Sequence, residues 1–145
     1  MRSYLIVVRT AIIVAVFAVA CRGRTPSGPT DPLDGTWTGT MLHDAAGSGS
    51  ATLRLEQSGA AVSGTWSADF DETRFDVSGS VGGSMSGTMA LLFLTPDVPA
   101  PCGGTTLSGT LTLNASIHGD RLTGSFVLFT CAGAEGGSVD LARSD

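Results

Sequence analysis

Trp37-Thr38-Gly39-Thr40-Met41, Val62-Ser63-Gly64-Thr65-Trp66, Val77-Ser78-Gly79-Ser80-Val81, Met85-Ser86-Gly87-Thr88-Met89, Leu107-Ser108-Gly109-Thr110-Leu111 and Leu122-Thr123-Gly124-Ser125-Phe126 are six copies of one pattern. Each reads apolar, hydroxyl, glycine, hydroxyl, apolar. In an extended chain successive side chains face opposite sides, so every copy puts its apolar residues and glycine on one face and two hydroxyls on the other. A period of two, repeated six times, predicts an all-β domain.

Working outward from these copies, the spacing predicts eight strands at 35–42, 51–57, 61–69, 74–80, 84–94, 105–117, 121–131 and 138–143. Glycine-bearing connections near Ser58-Gly59, Gly82-Gly83 and Gly119-Asp120 suit hairpins, whereas parallel strands need long crossovers. The expected fold is therefore an eight-stranded antiparallel up-and-down β-barrel. Its tight turns share one rim, and the loops 43–50, 70–73, 95–104 and 132–137 share the other.

Mid-strand glycine normally weakens a strand, so its recurrence needs a cause. Glycines on the concave face permit the strong coiling a small barrel requires; alternatively, the missing side chains leave room for a ligand. The inward face would carry Trp37, Met41, Leu53, Leu55, Val62, Trp66, Phe75, Val77, Met85, Met89, Leu91, Phe93, Leu111, Leu113, Phe126 and Leu128. These suffice for a packed core. If the barrel has a cavity instead, Trp37, Met41, Trp66, Phe75, Met85, Met89, Phe93 and Phe126 would line it and hold a small apolar ligand. Strand parity sets Val127, Phe129 and Cys131 outside with Leu92 and Leu94, where the three-proline loop 95–104 would cover them.

The first residues are a different kind of sequence. Arg2 and Arg9 precede an unbroken apolar run from Ala11 to Ala20, which predicts a signal peptide over 1–20. The run is shorter than the roughly 20 apolar residues of a spanning helix. Ala18-Val19-Ala20-Cys21 resembles the bacterial lipobox, which implies lipidation of Cys21 and a membrane-anchored protein of the cell envelope. Ordinary signal cleavage after Ala20, giving a soluble secreted protein, is the alternative. If Cys21 carries lipid, Cys102 and Cys131 remain as an even pair in an oxidising compartment, and a disulfide between them is expected. Residues 21–33 read as anchor and flexible linker, and 34–145 as the barrel. Without Arg2 and Arg9, six arginines face thirteen acids, a balance that argues against nucleic acid as a partner.

Asp34-Gly35-Thr36-Trp37, the apolar-lined meander and the late Arg143 together resemble the lipocalin and avidin-like superfamily. The resemblance implies that Gly35 and Trp37 open the first strand and that Arg143 stacks on Trp37 at the tight-turn end. It carries no biotin site, since no tyrosine follows Tyr4.

Catalytic chemistry finds little to use. His118 precedes Gly119-Asp120 in an expected turn, and His43-Asp44 lies at the long-loop rim with no motif around it. A nucleophile would need a base held beside it and a third group to orient that base. The same rim collects Asp44, Asp69, Asp71, Glu72, Asp97 and Glu135. Their spacing matches no calcium-loop signature, and an acidic rim suits basic partner surfaces. The residues thus predict a non-enzymatic envelope module without metal or cofactor. It either takes a small apolar ligand into its barrel or binds another protein, in the manner of a protease inhibitor, through rim loops around a filled barrel.

Overall fold

The computed structural model describes residues 32–70, 75–97, 109–130 and 133–144. The expected signal peptide over 1–20, Cys21, Cys102, Cys131 and most of loop 95–104 lie outside these residues. Every regular element described is a strand: β1 (Gly35–His43), β2 (Gly47–Ser58), β3 (Ala61–Phe70), β4 (Phe75–Ser86), β5 (Met89–Pro96), β6 (Leu111–His118), β7 (Arg121–Thr130) and β8 (Gly133–Ser144). Each pairs antiparallel with the next, and β8 returns to β1, so the sheet is a closed meander barrel in chain order. Strands β2 and β8 start earlier than the sequence pattern predicts, at Gly47 and Gly133 instead of 51 and 138.

Period-two patterning builds the interior. Along β2 the residues Ala51, Leu53 and Leu55 are buried between exposed or half-buried neighbours, and along β6 the same holds for Leu111, Leu113, Ala115 and Ile117. Trp37, Trp66, Phe70, Phe126 and Leu128 join them in one continuous core. Full burial of such a side chain contributes roughly 1.5–3 kcal/mol.

The glycines of the repeat explain how so small a barrel closes. A methyl group added at Gly39 would collide with the Asp140 carbonyl of β8, and one at Gly124 with the Asn114 carbonyl of β6. Gly64 and Gly79 face the backbones of β2 and β5 in the same way. Coiling brings the neighbouring strand into the place a side chain would occupy, so these glycines leave no empty volume.

One turn and one strand face differ from the sequence pattern. The β4–β5 turn is Gly87-Thr88, inside the fourth pentapeptide, and β4 runs straight through Gly82-Gly83. Gly87 adopts φ +60°, the left-handed conformation of the tight hairpin class, as do Gly59 and Gly119 in their turns. The displaced turn lets Met85 donate its N–H to Ala60 O at 2.8 Å, which extends the pairing of β4 with β3. It also makes Ser86 and Met89 direct partners on the outer face, and a shift of one residue inverts a whole strand. Met89, Leu91 and Phe93, expected inside, are therefore 53%, 38% and 43% exposed, whereas Leu92 and Leu94, expected outside, are buried.

Candidate functional site

The tight-turn end is sealed by the chain that enters it. Leu33, the last residue of the expected linker, is completely buried as a plug. Trp37 Nε1 donates to its carbonyl at 2.9 Å, while its own N–H donates to Gln57 Oε1 at 3.1 Å. Asp34 Oδ1 accepts from the Gln57 N–H. The Arg143 guanidinium lies 4.4 Å from the Trp37 ring centroid and donates to the carbonyls of Asp34 and Pro32. Strand β1 begins and strand β8 ends here, which sets Gly35, Trp37 and Arg143 together at this end. On the outer wall nearby, Arg121 pairs with Asp140 and holds its carboxyl below the usual carboxylate range through their hydrogen bond.

The opposite end is closed by aromatic rings and one imidazole. His43 is only 2% exposed. Its ring stacks on Phe126 at 5.9 Å and meets Phe70 edge-on at 6.2 Å. Nδ1 accepts from the N–H groups of Ala45 at 3.2 Å and Ala46 at 3.0 Å, which closes the turn between β1 and β2. With two donors on Nδ1, the ring proton belongs on Nε2, which lies 3.2 Å from Glu135 Oε2 without the alignment of a hydrogen bond. His43 thus has no free lone pair to offer a substrate proton or a metal ion. The sequence pattern ends the first strand at 42 and puts His43 on the rim; β1 instead runs through His43, which shares the inward face with residues 37, 39 and 41.

Of the candidate ligand-lining residues, Trp37, Met41, Trp66, Met85 and Phe126 are buried together in the core. Met89 and Phe93 stand on the outer wall, and the side chain of Phe75 lies outside the description. Two shallow grooves, of about 330 and 360 Å³, also lie on the wall. Ser50, Thr52, Ser67, Asp69, Asp76 and Ser78 line the first, and Gly35, Thr36, Arg54, Glu56 and Thr65 the second. No trio of His, Cys, Asp or Glu able to hold a metal ion occurs among the described residues. Exposed apolar side chains gather on β5 and β7: Leu91 and Phe93 on one, Val127 and Phe129 on the other, with Phe93 and Val127 in one cross-strand row through Thr112. No family model matches the chain, and no curated protein does either.

Proposed function

We propose that the chain is a non-enzymatic protein-interaction module of the cell envelope, held to a membrane by lipid on Cys21, with the barrel as a filled scaffold. The single observation that supports binding from outside is the occupied interior: neighbouring backbone fills the glycine positions, Leu33 plugs one end, and His43 with Phe126 and Phe70 fills the other. Recognition then falls to the outer wall near the long-loop end. There Phe93, Val127 and Phe129 offer apolar contact, with Asp97 continuing the exposed side of β5. The partner that fits is a protein surface with an apolar centre and a basic margin, since complementary charge sets approach and orientation. Cross-linking in intact envelopes should capture one partner. The doubly substituted Phe93→Ser/Phe129→Ser chain should lose it at unchanged melting temperature; an unchanged partner set overturns the reading. Cys21→Ser should release the protein from membranes, because the anchor rests on that thiol.

A second reading, a small apolar ligand inside the barrel, draws on Trp66. Its Nε1–H is buried with no acceptor among the described residues, an arrangement that costs about 1–3 kcal/mol and that a ligand carbonyl would relieve. Mass spectrometry of the chain purified from a lipid extract tests it, and a protein that retains nothing removes it.

A further inference from the structure

The turn that closes the long-loop end is held by a titratable group. His43 Nδ1 accepts two backbone N–H groups, from residues two and three positions later, and only a neutral ring with its proton on Nε2 can do this. Protonation puts a hydrogen on Nδ1, facing two donors, so both bonds are lost together. The same proton strengthens the other side of the ring, because Nε2–H of a charged imidazolium lies 3.2 Å from a Glu135 carboxylate oxygen. The ring therefore has two states with different partners: neutral, bonded to the β1–β2 turn, and charged, paired with β8.

We propose that His43 is a proton-sensitive latch, which holds the Ala45 and Ala46 amides of the β1–β2 turn when neutral and releases them when charged, while the Asp44 N–H bond to Gly136 O, at 2.9 Å, ties the head of the turn to β8 in both states. Around the ring, the charged groups of the described residues are Asp44 beside it on the turn and Glu135 on β8. The faces from β3 and β7 are the rings of Phe70 and Phe126, and β2 presents Gly47 as its register partner. Stacking on Phe126 keeps the ring in place in both states, so release is confined to the turn.

The test uses the full chain in detergent, labelled with nitrogen-15. Imidazole shifts at pH 8 should report a bare Nδ1 and a protonated Nε2. As pH falls and the ring becomes charged, protection of the Ala45 and Ala46 amides, corrected for intrinsic exchange, should drop about tenfold, the loss of two ordinary hydrogen bonds. Protection of Leu53 in mid-β2 should hold. Glu135→Gln should reduce the release, because the charged ring loses its charged partner on β8. His43→Asn, whose side-chain carbonyl can accept the same amides as an Asx-turn, should hold the turn closed across the range. Protonated Nδ1 at pH 8, protection that does not change with pH, or a transition that survives in His43→Asn would each overturn the latch.

Discussion

The side-chain hydrogen bonds that close the two ends of the barrel differ in range. At the tight-turn end the bonds join residues 23 to 111 positions apart, tying the entering chain at Pro32–Asp34 to Gln57 and Arg143. At the other end the side-chain bonds to His43 span two and three positions, beside ring contacts with β3 and β7 and the backbone bond from the Asp44 N–H to Gly136 O. The long-range bonds break only when the entering chain leaves β2 and β8, whereas the two local ones can open while every strand stays paired. The contrast predicts that the first end opens with the global fold and that the Ala45 and Ala46 amides at the other open locally.

The largest test of that contrast is Trp37→Ala. It removes the wall against which Leu33 and Arg143 pack, and should lower unfolding free energy by about 3–5 kcal/mol in a denaturant titration. A loss confined to the exchange of residues 32–34 would show this end to be local as well. Arg143→Met keeps an apolar stem but removes the cation and its carbonyl bonds. It should cost about 1–3 kcal/mol, combining cation–π attraction with unmade hydrogen bonds, and should expose the Leu33 amide to exchange. The smallest effect belongs to Arg121 and Asp140, which pair in full solvent on the outer wall. Because the Asp140 carboxyl is held below its unfolded range, its contribution is present at neutral pH and is lost as pH falls through the lowered value. Asp140→Asn should flatten the acid limb of the stability curve slightly and lose even that in high salt.

The barrel was legible because six pentapeptides carry alternation and glycine at once, and neither signal fits a helix. Trp37 and Arg143 were legible by their places at the two ends of the domain. The face of β5 was not, since Met89-Ala90-Leu91-Leu92-Phe93-Leu94 is apolar on both sides and only the turn decides which side is in. That turn was hidden by a pentapeptide whose Gly87 resembles the mid-strand glycines in sequence and differs from them in backbone conformation. Leu33 was missed because a proline- and glycine-bearing stretch before it reads as linker, and one residue carries no periodicity. His43 was misplaced on the rim because its type outweighed its parity. Its role depends on backbone amides, which every residue but proline supplies.

The plugged entrance also decides how the molecule carries a load. Tension arriving through Pro32 meets the Arg143 and Gln57 clamps first and then β1, which is laddered on both sides, to β2 and β8. If the opposing pull comes from the long-loop rim, it runs roughly along the strands. The two ladders are then loaded in shear, many hydrogen bonds at a time, and do not peel apart one by one. A load applied through this end along the strands therefore meets the closed barrel in its stiff direction.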